Sequence, residues 1–377
     1  MNSLETKMTP NVNEEIQNST FNTIKNEGPE KPNIQTGIKS DVEDNSVKSI
    51  VDSVRVQEKL IAPQAGPREY DIVYRNIFIF AYLHAAAFYG LYLCFTSAKW
   101  GTVIFAYLSY VAATIGVTAG AHRLWSHKSF KAKMPLQIIL MIFLSIANQR
   151  ATHWIRDHRL HHKYSDTDAD PHNASRGFFY SHIGWLFVRK HPEVKRRGKL
   201  IDMSDIYSNP VLMFQHRHAK TMIPLIFLIL PTLIPMVFWG ETFKNSWHLV
   251  ILRYVFNFHI FFLVNSAAHI WGNKPYDKNI KSSESGIVAL ATFGEGYHNY
   301  HHVFPWDYRS AELGNTVFNY TKLFIDLAAA MGWAYDLKVV PDGMIKSRAL
   351  RTGDGSLYSH RVDDEKDIRT ENNMKCS

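Results

Sequence analysis

Apolar residues in this chain gather into long runs separated by polar stretches, and the lengths of those runs set the first expectations. Positions 77–96 are apolar with only His84 as a readily charged interruption, and after a short turn at 97–100 a second run fills 101–121. Each is about 20 residues long, the length of helix that crosses a hydrocarbon core of roughly 30 Å. A second pair occupies 222–240, interrupted by Pro231 and Pro235, and 247–268, with a turn at 241–246. Prolines kink a membrane helix but are tolerated there. The run at 135–148 has only 14 residues, which suits a re-entrant, interfacial or buried helix better than a span. The pattern predicts an all-α integral membrane protein with four transmembrane helices in two hairpins. A large soluble helical core fits four runs of spanning length poorly.

The flanks read differently. Residues 1–66 are rich in Asn, Glu, Lys, Ser and Thr without a sustained hydrophobic period, so they bury too little surface to offset ordering entropy and are expected to form a disordered cytosolic tail. A polar C-terminal tail is expected over 351–377, which leaves 67–350 as the membrane domain. The mean hydropathy of −0.19 averages tails and runs and describes neither.

Net charge is +8, which is compatible with a nucleic acid, an anionic membrane surface or a phosphorylated substrate. Distribution decides between them. The hairpin turns carry only Lys99 and Lys244, whereas the segment between the hairpins carries Arg123, Lys128, Lys131, Lys133, Arg156, Arg159, Lys163, Arg189, Lys190, Lys195, Arg196, Arg197 and Lys199. The positive-inside rule puts that segment and both termini in the cytosol, and the absence of a signal-peptide pattern agrees. Basic residues that follow topology form no base-reading element, so no nucleic acid partner is expected. Sequons at Asn18, Asn173 and Asn319 then face the cytosol and stay unglycosylated. The two cysteines, Cys94 and Cys376, build neither a disulfide framework nor a thiolate metal site.

Any metal must therefore be held by nitrogen and oxygen. In the stretch from Trp154 to His162, His158, His161 and His162 fall at i, i+3 and i+4, one face of a helix. The spacing recurs at His298, His301 and His302, and His122 and His127 form a related pair. His122 follows the second span and His269 the fourth, so every cluster falls on one side of the membrane. Nine imidazoles exceed what one tetrahedral zinc uses, so two metals are the natural reading. Imidazole suits iron, copper, zinc and nickel alike. No His-Glu-x-x-His motif occurs, and a ferritin-like site wants two Glu-x-x-His motifs where only Glu295 to His298 has that spacing near the clusters.

The order His-x4-His, His-x2-His-His, His-x2-His-His, interleaved with two hairpins, resembles the membrane acyl-CoA desaturases. Longer matches narrow this to the stearoyl-CoA-desaturase type: Gly120-Ala121-His122-Arg123-Leu124-Trp125, the stretch from His162 through Asp166, Asp168 and Asp170 to His172, and Asn265-Ser266-Ala267-Ala268-His269. Trp271-Gly272-Asn273-Lys274-Pro275-Tyr276-Asp277 and His302-Val303-Phe304-Pro305-Trp306-Asp307-Tyr308-Arg309 are similar to moth enzymes of sex-pheromone synthesis. The resemblance implies a cytosolic helical cap over the four spans, holding a histidine-rich di-iron site. Its ligands would be His122, His127, His158, His161, His162, His269, His298, His301 and His302, with Asn265 acting through a water. The other ten histidines, including His84, His153, His172 and His259, are expected to hold no metal.

The family's reaction takes a saturated acyl-CoA, here of about 14–18 carbons, with dioxygen and two electrons, and yields an enoyl-CoA and water. Electrons come from NADH through cytochrome b5 reductase and cytochrome b5. No fused haem-binding segment is present, since His191-Pro192 continues as Glu193-Val194, so cytochrome b5 is expected as a separate partner in the endoplasmic reticulum membrane. The resemblance places Arg75, Asn76, Arg156, Asp157, Arg189 and Lys190 at the coenzyme A head, where cations suit phosphates. It places Trp154 along a bent apolar tunnel and Tyr110 near the methyl end. Two departures, Asn148-Gln149 in place of Gln-Asn and Phe262 in place of Trp, touch that tunnel and bear on the double-bond position. Δ11 is expected, with Δ9 next. A fatty acyl hydroxylase is the nearest enzymatic rival. A metal transporter would carry ionisable ligands within its spans, and here those hold only His84, His248 at an edge, Arg253 and His259, with no carboxylate beside them.

Overall fold

The computed structural model describes residues 70–311 and 319–357. The expected disordered tail at 1–66 lies outside the described residues, as does the expected C-terminal tail from 358 onward. The final described helix, Asp342–Thr352, runs past the boundary expected at 350.

Among the described residues, four helices are long and apolar enough to cross a membrane: α1 (Tyr74–Thr96), α2 (Trp100–Ser126), then, after the short α3 (Met134–Ile146) and α4 (Ala151–Lys163), α5 (Pro210–Trp239) and α6 (Phe243–Ile270). Side chains such as Phe78, Phe88 and Phe95 on α1 are more than 70% exposed, a face suited to lipid and costly in water. The 135–148 run does not span alone. It is α3, which meets α4 at 86° through Asn148, whose φ is +59°. α4 is polar along one face, and Ala151, Ile155 and Leu160 are its buried apolar residues.

Two expected boundaries are corrected. α5 begins at Pro210, twelve residues before the apolar run, because Asn209 caps Val211 and Leu212 with its side-chain oxygen and Pro210 fits the first turn. α2 continues beyond residue 121 as a π-helix, Gly116–Ser126. The all-α expectation holds apart from one antiparallel pair, Lys131–Ala132 with Ala334–Tyr335.

The bundle is drawn together where side chains are small. A Cβ on Gly116 would lie 2.3 Å from Leu144 N, so α2 touches the α3 backbone there, and one on Gly90 would lie 2.5 Å from His248 O, which fixes the approach of α1 to α6. Pro231 lacks the N–H that would satisfy Phe227 O four residues earlier. The buried Arg253 fills that gap, donating to Phe227 O at 3.2 Å and to Ile146 O, at the end of α3, at 2.8 Å. The intramembrane cation is thus held by two orphaned carbonyls. At the opposite end from the histidines, Glu241 accepts from Lys99 N (2.8 Å), Thr102 Oγ1 (2.7 Å), Thr242 N (2.8 Å) and Asn245 Nδ2 (3.0 Å), tying one hairpin turn to the other.

Candidate metal centre

The π-helix explains the spacing of the first histidine pair. In an α-helix, residues five apart diverge around the axis. In a π turn the i→i+5 bond brings them over one another, and His127 N donates to His122 O at 3.1 Å. α4 supplies His158, His161 and His162, the end of α6 supplies His269, and α7 (His298–Val303) supplies His298, His301 and His302.

These nine imidazoles form two groups, each with its ligand atoms mutually within 4.8 Å: His122, His127, His158, His162 and His301 in one, and His161, His269, His298 and His302 in the other. The repeated His-x2-His-His motif acquires a geometric meaning here. On α4 the i,i+4 pair His158 and His162 serves the first group and His161 the second; on α7 the pair His298 and His302 serves the second group and His301 the first. Each motif straddles both groups.

The protons decide what the groups can hold. Glu295 Oε2 lies 2.8 Å from His122 Nδ1, Asp170 Oδ2 lies 2.9 Å from His161 Nδ1, and Asp166 Oδ2 lies 3.0 Å from His269 Nδ1. Asp170 and Asp166 hydrogen-bond to Nδ1 of His161 and His269 and so fix the ring proton there, leaving a lone pair on Nε2, while Glu295 makes a close charge contact with the outer nitrogen of His122. Those Nε2 atoms face other Nε2 atoms: His122 to His301 at 2.8 Å, His127 to His158 at 2.8 Å, His269 to His298 at 2.9 Å, His298 to His302 at 3.0 Å and His161 to His302 at 3.3 Å. Burial first, then neighbouring imidazoles and cations, hold His127, His158, His162, His298, His301 and His302 well below the ordinary histidine value, so these rings are neutral. A neutral imidazole offers one ring lone pair, and nine of them converge on two foci, so a cation at each focus turns the crowding of ring nitrogens into ligation. The donor set therefore fits two metal ions, with nitrogen ligands only.

The carboxylates are functional residues that the sequence reading missed. Asp166, Asp168 and Asp170 form an alternating acidic loop: the first and last hold His269 and His161, and Asp168 pairs with Arg176 at 3.0 Å. The Asp-x-Asp-x-Asp spacing was the available signal. Glu295, within the lone Glu-x-x-His spacing, does not point to a metal focus but anchors His122. Its burial would raise its pKa, yet Arg123 at 2.9 Å and His122 outweigh burial and hold it down to about 2. Arg159 donates to Trp125 O at 2.7 Å and Ser126 O at 3.3 Å and so fixes the end of the π-helix beside His127.

A cavity of about 280 Å³ opens beside the two groups. Trp154, Asp157, Gln149, Phe262 and Asn265 line it, together with Val117, Thr118, Tyr254, Asn257, Phe258 and Phe261. Asn148 does not line it; it stands behind and donates to Tyr254 OH at 3.2 Å. Tyr110 does not reach it either, since its hydroxyl donates to Ala291 O at 3.1 Å and its ring packs on Phe256 and Phe293. The expected headgroup residues come together beside the cavity: Val73 N donates to Phe187 O, Arg189 N to Asp71 O and Asn76 Nδ2 to Leu186 O. This joins the start of α1, with Arg75 and Asn76, to Arg189 and Lys190, and Asp157 pairs with both Arg156 and Lys190. His172 lines the cavity with Nδ1 buried and without a hydrogen-bond partner, 4.0 Å from Asp170; it lies outside the two groups of five and four rings and forms a third close set with His161 and Asp170.

Comparison with known proteins agrees with this geometry. The fatty acid desaturase family model matches residues 98–313. The chain is 64% identical to an acyl-CoA Δ11 desaturase of Spodoptera littoralis over 79% of its length and 88% of that protein. It is 59% identical to an (11Z)-hexadec-11-enoyl-CoA conjugase of Bombyx mori over 83% and 95%. An acyl-CoA Δ9 desaturase of Acheta domesticus is 55% identical over 80% and 85%. Two histidine groups beside an apolar cavity, on a multi-pass helical scaffold, accompany likeness over most of the chain: it belongs to the fatty acid desaturase family.

Proposed function

We propose that the protein is an acyl-CoA desaturase of the endoplasmic reticulum that introduces a double bond at position 11 of a saturated chain, in the synthesis of a sex-pheromone precursor. The observation that carries this reading is the cavity itself. Its wall runs from Asp157 and Leu186, beside the basic cluster, past both histidine groups, to apolar side chains of α2 and α6. One end suits a phosphorylated headgroup and the other a hydrocarbon.

The overall balance is one saturated acyl-CoA, dioxygen, two electrons and two protons giving one enoyl-CoA and two waters. Two irons, when bound by the nine histidines with Asn265 acting through a water, supply the oxidising power that removal of hydrogen from an unactivated methylene requires. Imidazole withstands such chemistry, whereas thiolate oxidises. Arg75, Arg156, Arg189 and Lys190 attract the coenzyme A phosphates, and Asp157 orients Arg156 and Lys190. Trp154 stacks on His158 with ring centroids 4.8 Å apart and, with Phe262, holds the chain against the metal side of the cavity. Asp166 and Asp170 keep protons on the outer ring nitrogens of His269 and His161, and Glu295 holds His122 by its close charge contact. Cytochrome b5, reduced by its NADH-dependent reductase, delivers the electrons from the cytosol. Relatives named as Δ11 desaturases support the choice of position.

The test is expression in yeast lacking its own desaturase, supplied with myristic, palmitic and stearic acids, with double bonds located by derivatisation and mass spectrometry. New Δ11 alkenes are expected. Δ9 products that rescue growth would reassign it as a housekeeping enzyme, and hydroxy acids without alkenes would overturn desaturation.

A further inference from the structure

Beyond the last histidine group the chain forms a surface helix whose outer face is apolar. In α8 (Tyr320–Ala330), Thr321, Ile325 and Ala328 are buried. Tyr320, Leu323 and Leu327, with Met331 just past the end, are 45–60% exposed. They follow one another at helical spacing and form a single stripe. The two charged residues of the helix, Lys322 and Asp326, pair with each other at 2.7 Å, and the Tyr308 hydroxyl donates to Asp326 at 2.9 Å. A helix facing water shows the reverse pattern. The stripe is held outward from behind: Asn319 accepts from Lys322 N at 3.1 Å and donates to Arg309 O at 2.7 Å, and Thr321 donates to Thr118 of α2 at 2.9 Å.

Both ends of the stripe run into apolar surface of the membrane elements. At one end, ring contacts lead from Tyr320 to Phe293 (5.3 Å), from Phe293 to Tyr110 (5.9 Å), and from Tyr110 to Tyr107 (6.3 Å) and Phe256 (5.3 Å). Tyr107 and Phe256 are exposed residues of α2 and α6. The short helix Gly286–Ala291 stands beside this path; it exposes Ile287 and Leu290, and its last carbonyl accepts from the Tyr110 hydroxyl. At the other end, Trp333 O accepts from Lys133 N at 2.8 Å and Tyr335 pairs with Lys131. This joins the stripe to the start of α3, whose Met134, Ile138 and Ile142 are exposed.

We propose that α8 lies in the plane of the bilayer interface on the histidine side, with Tyr320, Leu323, Leu327 and Met331 among the lipid chains and Ile287 and Leu290 beside them. The occupant is lipid because the face continues, at both ends, the exposed apolar surface of α2, α6 and α3. A helix seated this way buries its apolar face about 5–10 Å into the boundary between headgroups and acyl chains. Thr118, and Asn319, which also accepts from Arg123 at 3.3 Å, tie the seated helix to the π-helix that carries His122. The inference is independent of the reaction performed at the metal centre.

The test uses the full chain with Cys94→Ala and Cys376→Ser, carrying Leu323→Cys, Leu327→Cys or, on the exposed basic segment, Lys195→Cys, each labelled with a fluorophore and placed in bilayer nanodiscs. Lipids brominated near the headgroup end of the acyl chain should quench the label at 323 and 327, and aqueous iodide should lose access to both. The label at 195 should respond in the opposite way. Iodide quenching at 323 and 327 equal to that at 195 would overturn the proposal. So would protection from iodide without quenching by brominated lipid, the result expected if a second copy of the chain covered the stripe. The unmodified protein supplies a measurement free of substitutions: a photoactivatable phosphatidylcholine should label peptides covering 320–331 as well as those of α1. Labelling of α1 alone would likewise overturn it.

Discussion

Two sets of histidines in this molecule have almost the same nitrogen-to-nitrogen distances and opposite meanings. In the metal centre the Nε2 atoms approach to 2.8–3.3 Å. Between α1, α6 and the short helix Phe178–His182, His84 Nε2 meets His259 Nε2 at 2.9 Å, His259 Nδ1 meets His182 Nε2 at 3.0 Å, and His182 Nδ1 meets Ser266 Oγ at 3.0 Å. The second set is a line, not a focus. It ends on Phe80 O at one side and, at the other, on the Ser266 hydroxyl, which itself donates to Phe262 O at 2.7 Å, so the three rings hydrogen-bond in sequence and share no common focus. In the metal centre, ring nitrogens from several helices converge on two foci, and carboxylates hold the outer nitrogens of His161 and His269. Convergence, rather than distance, distinguishes a ligand set from a hydrogen-bonded line.

The contrast can be broken most sharply by mutation. His161→Ala should abolish unsaturated product while the protein still reaches the membrane, whereas His259→Ala, outside both groups, should still yield alkenes. Substantial product from the first, or none from a folded second, would erase the distinction. Asp170→Asn keeps the shape but weakens the hold on His161, and should lower metal affinity about 10–100-fold, read by competition with a chelator; His182→Ala should leave that affinity alone. His259→Ala leaves ring nitrogens of His84 and His182 unpaired, which costs about 1–3 kcal/mol and should lower the thermal midpoint in detergent by several degrees.

The smallest effect is electrostatic. Asp205 pairs with Arg159 at 2.7 Å and Lys128 at 3.0 Å. Burial works against its ionisation, but these cations prevail and hold it at about 2. A depressed carboxylate contributes stability that is full above its unfolded value near 3.8 and is lost as pH falls toward 2. Because Asp205 is partly exposed and Lys128 largely so, solvent screens the interaction and the contribution is about 1 kcal/mol at most. Asp205→Asn should flatten the acid side of the stability profile between those values.

The spans and the clustering of the nine histidines were legible because both depend on composition and short spacing. α1 and α6 declare themselves by apolar length, and the i, i+3, i+4 histidines by helical geometry. What could not be read was whatever depends on partners distant in sequence. The extension of α5 back to Pro210 has a local start signal in Asn209 and Pro210, but its polar stretch at 215–221 reads as loop until Gln215 docks it, accepting from Ala151 N at 2.9 Å and donating to Ser145 Oγ at 2.9 Å. The π-helix rests on packing of Gly116 against α3 that no local propensity encodes. Asp166, Asp170 and Glu295 look like ordinary surface acids until folding buries them against imidazoles. Tyr110 stood at a plausible depth on α2, but its hydroxyl is held by Ala291 O, 181 residues away, and it does not line the cavity.

The central claim is that two groups of histidines each hold one metal and that the third line of histidines holds none. Metal content per chain, measured by mass spectrometry on protein purified from iron-supplemented cells, tests it most directly. The account predicts two irons per chain, retained when His84, His182 and His259 are replaced together by Ala and lost when His161 and His301, one ligand from each group, are replaced. A single metal per chain in the unmodified protein, or loss of iron from the triple variant while it stays folded, would contradict it.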